Sequence, residues 1–196
     1  FNKITKGGLP PKTLNIALAG TGVGKSLFMC HMAASCLSQN KNVLYITLEM
    51  AEERIAERID ANLMNVTMED LHDLPKKMYE DKISRIAASA HVGHFRALVK
   101  ELALKKSFNP DIIFIDYINI CTTARFKNTS SMNSYSNLKA IAEELRGFAV
   151  ELNLPVMSAT QTTRGGFANT NIDLTDTSES FGLPATADLM FALIST

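Results

Sequence analysis

A glycine-rich octapeptide near the start of the chain constrains the fold more than any other feature. It reads Ala-Gly-Thr-Gly-Val-Gly-Lys-Ser over residues 19–26, after an apolar run and ahead of an amphipathic one. Between a strand and a helix, such glycines let the backbone curl so that its N–H groups and the helix N-terminus face phosphate oxygens. Lys25 is then placed to reach the β- and γ-phosphates, and the Ser26 hydroxyl to bind Mg²⁺. The predicted nucleotide contacts of this P-loop are Gly20, Thr21, Gly22, Val23, Gly24, Lys25, Ser26 and Leu27.

The loop departs from the usual G-x-x-x-x-G-K-[ST] pattern at one position, because Ala19 stands where the first glycine is expected. We expect Gly20 and Gly22 to supply the missing backbone freedom.

The remaining pattern predicts an α/β fold in which short apolar runs alternate with amphipathic stretches. The runs are continuous rather than alternating, which is typical of parallel strands covered on both faces by helices. The predicted strands are Leu14–Ala19, Val43–Leu48, Ile112–Asp116, Pro155–Ala159 and Asp188–Ile194. The predicted helices are Lys25–Ser38, Ala51–Leu63, Glu80–Ala90, Phe95–Lys106 and Ser136–Leu152.

Composition bounds the class of protein. The 196 residues and 46% hydrophobic content suit one globular domain, and no apolar run approaches the roughly 20 residues of a membrane span. We therefore expect a cytoplasmic protein, in the host cytoplasm if a phage encodes it, with no membrane partner. The formal net charge is zero, which argues against a strongly basic nucleic-acid binder, yet residues 1–48 carry five Lys and no acid while the acids gather over residues 49–81.

Cysteine and histidine give no metal-ligand pattern. The three cysteines have no zinc spacing, so we expect free, buried thiols. His91 and His94 are expected at a helix end or on the surface rather than at a metal site.

Three polar side chains at predicted strand ends are candidates for the chemistry of hydrolysis. Asp116 ends an apolar strand where a carboxylate on the metal side of the phosphates is needed. Glu49 follows the strand after the P-loop helix and is the candidate base for the attacking water. Gln161 follows another strand, from which its amide can reach the γ-phosphate. The competitors of Glu49 lie at helical spacing on a solvated face and are Glu52, Glu53 and Glu57.

Two polar stretches, residues 122–135 and 162–175, follow the ends of predicted strands. Their only bases are Arg125, Lys127 and Arg164. Ligands of open α/β sheets gather outside the carboxyl ends of the strands, so a second ligand would be met here. On composition alone, solvated connecting loops remain an equal alternative.

Five ordered segments together resemble the DnaB-like hexameric replicative helicases, and among them those of the T-even-type bacteriophages. The segments are GGLPPKTLNIALAGTGVGKS, VLYITLEM, IIFIDYINI, AIAEELRGFAVELNLPVMSATQTTR and DLTDTSESFGLPATADLMFAL. Their specificity lies in order and context, since each alone is weak. The resemblance implies a RecA-like P-loop NTPase core that uses ATP or another NTP with Mg²⁺. It also implies a homohexameric ring around single-stranded DNA, with a primase and a helicase loader as partners.

The resemblance also implies residue roles. Lys25 and Ser26 bind phosphate and metal, Asp116 supports the metal, Glu49 activates water, Gln161 senses the γ-phosphate, and Arg164 is a basic residue beside the nucleotide. The family's DNA-binding loops fall on the two polar stretches. Candidate contacts to the DNA backbone are therefore Arg125, Lys127, Gly165, Gly166 and Asn169.

The chain begins with Phe1 and ends in what reads as a strand, so we expect a fragment, residues 1–196, of a longer helicase. The family's N-terminal domain and its arginine finger, which a neighbouring subunit receives, would lie outside it. Such a fragment is expected to bind nucleotide, hydrolyse it slowly and remain largely monomeric. The alternatives are a RecA-like recombinase and a nucleotide-gated oligomeric interaction module.

Overall fold

The computed structural model describes residues 2–72, 84–87, 91–125, 134–162 and 182–194. The strands are β1 Leu14–Ala19, β2 Val43–Thr47, β3 Ser84–Ala87, β4 Ile112–Asp116, β5 Val156–Gln161 and β6 Leu189–Leu193. The helices are α1 Asn2–Thr5, α2 Lys25–Ser38, α3 Glu52–Met64, α4 Met68–His72, α5 Val92–Lys106, α6 Ser134–Leu152 and α7 Gly182–Thr186, with a 3₁₀ turn at Ile118–Ile120. Within these residues, no helix combines the length and the apolar character needed to cross a bilayer.

The six strands form one sheet in the order β3-β2-β4-β5-β1-β6, and every pair is parallel. Parallel neighbours need crossover connections, and the helices between consecutive strands supply them. The predicted α/β class with a parallel sheet is confirmed.

Helices cover both faces of the sheet because the strand side chains alternate between two apolar clusters. On one face, Leu14, Ile46 and Ile113 pack in a cluster with side chains of α5 and α6, including Phe95 and Phe148. On the other face lies a second cluster that joins strand residues to α2 and α3. Its members include Ala17, Tyr45, Phe114, Met157, Met29, Ala33, Ile55 and Ile59. Both faces are dry, which explains why the strands read as continuous apolar runs.

The predicted helix over Glu80–Ala90 is wrong within Ser84–Ala87, where the chain forms β3. This strand pairs with Leu44–Thr47 of β2. Without it β2 would be the sheet's edge, with a row of backbone N–H and C=O groups lacking partners. Tertiary pairing therefore overrides a local pattern that is only four residues long at this point. The rest of Glu80–Ala90 lies outside the described residues.

The histidines and cysteines have structural places. His91 caps α5 and accepts a hydrogen bond from the Gly93 N–H at 3.0 Å, which confirms the predicted helix-end role. The described residues contain no group of three His, Cys, Asp or Glu side chains that could hold a metal. Cys30 and Cys121 are buried free thiols and Cys36 is a half-buried one. Burial raises the pKa of Cys30 to about 11 and that of Cys121 to about 12, so both stay neutral.

Candidate nucleotide-binding site

The P-loop spans the gap between the last residue of β1 and the first residue of α2. Gly22 has φ 80° and Gly24, the N-cap of α2, has φ 104°. Both angles lie in the left-handed region, where a side chain would be strained. The Phe28 N–H donates to the Gly24 carbonyl at 2.9 Å and begins the helix directly behind the loop. The backbone freedom that a phosphate cradle needs is therefore concentrated at these two glycines.

Ala19 is compatible with the loop because it belongs to the strand. It is fully buried, pairs with Gln161 of β5, and takes no left-handed backbone angle. The first position of the pattern is thus extended backbone, which alanine adopts as readily as glycine. The predicted role of Gly22 in replacing the missing freedom fits this geometry, with Gly24 as its companion.

Lys25, the first residue of α2, carries a buried cation. Its residue is 8% exposed, and its Nζ lies 5.3 Å from the centre of the Tyr117 ring. Among the ion pairs of the described residues, none joins Lys25 to a carboxylate. A buried ammonium group is costly without a counter-charge, so this position is suited to an anionic ligand.

Asp116 ends β4 and is fully buried. Its Oδ2 accepts a hydrogen bond from the Tyr45 hydroxyl at 3.0 Å, while its Oδ1 has no hydrogen-bond partner among the described residues. Burial, together with the Asp116 charge, raises the pKa of Tyr45 well above its usual range, so the hydroxyl keeps its proton and donates. An unpartnered buried carboxylate oxygen fits a site that receives a cation or a water bound to one.

Glu49 lies on a turn just past the end of β2. The Thr47 hydroxyl donates to the Met50 carbonyl at 2.7 Å and accepts from the Met50 N–H at 3.2 Å, which closes the turn. The Leu48 N–H donates to the Asp116 carbonyl at 2.8 Å, so the turn is attached to the end of β4. Glu49 is exposed on this turn, at the same edge of the sheet as Asp116.

The competing acids lie on α3. Glu52 and Glu53 occupy its first turn, and Glu57 pairs with Arg54 at 3.3 Å. They face the surface of the helix, as their spacing predicts.

Gln161 is the last residue of β5 and the direct neighbour of Ala19 across the sheet. Its Nε2 donates to the Tyr117 hydroxyl at 3.3 Å. The following residue, Thr162, donates its N–H to the Ala19 carbonyl at 3.1 Å. The structure thus brings Gln161 to the start of the P-loop, and Tyr117 contacts both Gln161 and Lys25.

Of the candidate DNA contacts, the structure describes Arg125. Its guanidinium pairs with Glu143 at 2.5 Å and with Glu144 at 3.8 Å, both on α6. Glu144 also accepts hydrogen bonds from the Thr123 hydroxyl and from the Ala124 N–H. The segment after β4 is therefore held against α6 by acidic side chains. Lying outside the described residues are Lys127, Arg164, Gly165, Gly166 and Asn169.

Sequence reasoning assigned no role to Tyr45 and Tyr117, which the structure places in the site. Tyr45 is hidden in an apolar strand and gives no sequence signal. Tyr117 directly follows Asp116, a position that could have marked it, but its contacts depend on how β1, β4 and β5 line up.

A parallel sheet with a glycine-rich loop between β1 and α2, a buried lysine and a buried strand-end carboxylate define this chain as a P-loop nucleotide-binding domain. The family model for the DnaB-like helicase C-terminal domain matches residues 1–194. The chain therefore belongs to the DnaB-like helicase C-terminal domain family.

Individual relatives agree with this family. The chain is 43% identical to the DnaB-like replicative helicase of Enterobacteria phage T4, with all of this chain and 45% of the phage protein covered. It thus spans about half of the length of that relative. Among solved structures, a helicase-like ATPase domain matches with a TM-score of 0.80 at 18% identity, over 99% of this chain and 73% of the other. A DnaB-like replicative helicase described with its primase interactions matches with a TM-score of 0.77 at 17% identity, over 94% and 48%. These structures share the RecA-like ATPase fold.

Proposed function

We propose that the chain is the ATPase motor domain of a longer replicative helicase, which acts as a homohexamer that moves along single-stranded DNA and unwinds the duplex at the replication fork. The observation that carries the proposal is the meeting of Lys25, Asp116 and Gln161 at one edge of the sheet in a chain of this family. The T4 relative is itself named a replicative helicase. One structural neighbour is described with primase, which supports a primase as partner of the whole protein, and a helicase loader belongs to the same proposal.

In this proposal the P-loop N–H groups and Lys25 bind the phosphates of ATP. The Ser26 hydroxyl and the Asp116 carboxylate hold Mg²⁺, for which the unpartnered Oδ1 of Asp116 is suited. Mg²⁺, when bound, neutralises charge that develops on the transferred phosphoryl group. Because the described residues hold no ready-made metal cluster, the ion depends on nucleotide phosphates for its remaining ligands.

Glu49 orients the attacking water from the turn beyond β2, and Gln161 contacts the γ-phosphate from the end of β5. Arg164, a little further along the chain, lies beside the nucleotide. An arginine finger from a neighbouring subunit completes the site, a group that is typically worth about 10³ to 10⁵ in rate. Loss of the γ-phosphate then changes the contacts of Gln161, and the segment beyond it releases the DNA backbone. Arg125 and Lys127 in the first polar stretch and Gly165, Gly166 and Asn169 in the second bind that backbone.

Binding of a fluorescent ATP analogue to this chain tests the nucleotide site. Lys25→Ala should weaken binding by at least about 100-fold, because charge-assisted hydrogen bonds to phosphate are lost. Lys41→Ala removes an exposed lysine and should leave the affinity unchanged. Unchanged affinity in Lys25→Ala would contradict the assignment.

ATP hydrolysis by the full-length protein tests the motor. Single-stranded DNA should stimulate the wild-type rate, and Glu49→Gln should lower kcat by about 10² to 10⁴ with ATP still bound. Glu53→Gln, an exposed acid on α3, is the matched control. Hydrolysis that ignores DNA in the wild-type protein would favour the nucleotide-gated interaction module instead.

A further inference from the structure

Tyr117 lies between two groups of the nucleotide site. Its ring faces the Lys25 ammonium at 5.3 Å, and its hydroxyl accepts a hydrogen bond from the Gln161 amide at 3.3 Å. The first distance is within the reach of a cation–π interaction, which is strengthened when the cation is desolvated, as Lys25 is. One side chain thus connects the phosphate-binding lysine to the residue proposed to contact the γ-phosphate.

The backbone does not make this connection itself. The ladder between β4 and β5 runs from Ile113–Val156 to Ile115–Ser158 and stops there. Beyond it, β5 continues to Gln161 while the chain after β4 turns into the 3₁₀ segment. The two chains are parted at the edge where the ligand is expected.

Side-chain hydrogen bonds continue where the ladder stops. The Thr160 hydroxyl donates to Asn119 Oδ1 at 2.9 Å, next to the bond between Gln161 and Tyr117. These bonds hold the start of the first polar stretch, which follows Cys121, to the start of the second, which follows Gln161. The two candidate DNA segments are therefore joined at their roots by two side-chain pairs.

Nucleotide phosphates compete for both partners of Tyr117. A phosphate is a stronger partner for an ammonium group than a ring face is, because its hydrogen bonds are charge-assisted. A γ-phosphate that accepts from the Gln161 amide competes with the Tyr117 hydroxyl in the same way. Occupancy of the phosphate site thus changes both contacts of one side chain.

We propose that Tyr117 is a positioning residue that couples the phosphate site to both polar segments, with Asn119 as its second link to β5. This inference rests on the proposed function, since it explains how a nucleotide-driven change reaches DNA. It assigns no chemical step to Tyr117.

The coupling is measured as the ratio of single-stranded DNA affinities of the full-length protein with a non-hydrolysable ATP analogue and with ADP. Tyr117→Phe keeps the ring on Lys25 and removes the hydroxyl that holds Gln161. We expect this ratio to move toward 1 by about fivefold or more, a typical size for a coupling between sites. Affinity for the ATP analogue without DNA should stay within about threefold, because the phosphate contacts remain.

Asn119→Ala removes the second link and should also move the ratio toward 1, which keeps the test decisive if Tyr117→Phe fails to fold. The matched control is Asn42→Ala. Its Nδ2 donates to the Asn109 carbonyl at 3.0 Å, a similar bond at the opposite edge of the sheet. This control should leave the ratio unchanged.

The outcomes separate the two proposals. A wild-type ratio of 1 overturns the proposed function and this inference together. A wild-type ratio that differs from 1 and is unchanged in folded Tyr117→Phe, or in Asn119→Ala should Tyr117→Phe not fold, overturns this inference alone. A ratio that Asn42→Ala changes as strongly as Asn119→Ala also overturns it, since the effect would then be one of general stability.

Discussion

Polar side chains buried at the carboxyl edge of the sheet are bonded to one another. Tyr45 donates to Asp116, and the Ser158 hydroxyl donates to the Ile115 carbonyl at 2.7 Å. Removing water from such groups is costly unless each finds a partner. The bonds hold the side chains in defined positions before a ligand arrives, which is what a site for phosphate and metal requires.

Tyr45→Phe should lower the free energy of unfolding by about 1–3 kcal/mol, because it leaves Asp116 Oδ2 buried without its donor. The ring stays stacked on Phe114, at 5.7 Å between centroids, so the loss isolates the hydroxyl. Urea denaturation measures it.

A double-mutant cycle with Asp116→Asn serves as the control for that measurement. The two changes should be non-additive, since they remove one interaction. Full additivity would show that the hydroxyl acts elsewhere.

At the scale of elements, helix α6 is attached to three separate parts of the molecule by ion pairs. Glu143 pairs with Arg125 after β4, Glu151 with Arg96 of α5 at 2.6 Å, and Arg146 with Asp188 before β6 at 2.8 Å. Each pair is partly exposed and therefore contributes little by itself. Asp188 has an additional role, since its Oδ2 accepts from the Leu14 N–H at 2.9 Å and so satisfies the start of β1.

Asp188→Asn should destabilise the chain by up to about 1 kcal/mol at neutral pH, because the pair is screened by solvent. Burial acts to raise the pKa of Asp188, but hydrogen bonds from Arg146 and the Leu14 N–H, with the Arg146 charge, outweigh it and lower the pKa. A lowered pKa in the folded state stabilises above the unfolded value of about 3.9 and is lost as the pH falls through the folded value. The difference between variant and wild type should therefore shrink below about pH 4.

Thermal denaturation at a series of pH values measures this difference. Glu151→Gln, at an α6 pair that binds no backbone group, is the control and should show a smaller effect. A difference for Asp188→Asn that is constant with pH would contradict the linkage.

How far the elements could be predicted depends on where their signal lies. The P-loop was predictable because its glycines and Lys25 are contiguous, and α6 because its apolar face repeats along a helix of 19 residues. β3 was not, since four residues are a strand here only through pairing with β2. The contacts of Tyr45 and Tyr117 could not be predicted for the same reason, because strand order and register decide which side chains meet.

At the scale of the whole molecule, zero net charge is an uneven distribution rather than neutrality throughout. Arg125, a candidate DNA contact, is already paired with acids of α6. A basic channel built from such subunits therefore depends on repetition of a few bases around a ring, and on release of pairs such as this one when DNA phosphates compete for them.

We expect the 196-residue chain alone to bind ATP as a monomer and to hydrolyse it slowly, because the proposed arginine finger comes from another subunit. Size-exclusion chromatography with light scattering, combined with steady-state hydrolysis, checks this. A ring in solution with DNA-stimulated turnover similar to that of the full-length protein would overturn it.

The place of Ala19 inside β1 has a consequence for how related genes are found. The position that the usual pattern reserves for glycine is here the last pleat of a buried strand, and the geometry demands glycine only at Gly22 and Gly24. A text search that insists on glycine at the first position would discard this chain. One that requires a strand, two correctly spaced glycines and Lys-Ser at the start of a helix would retain it.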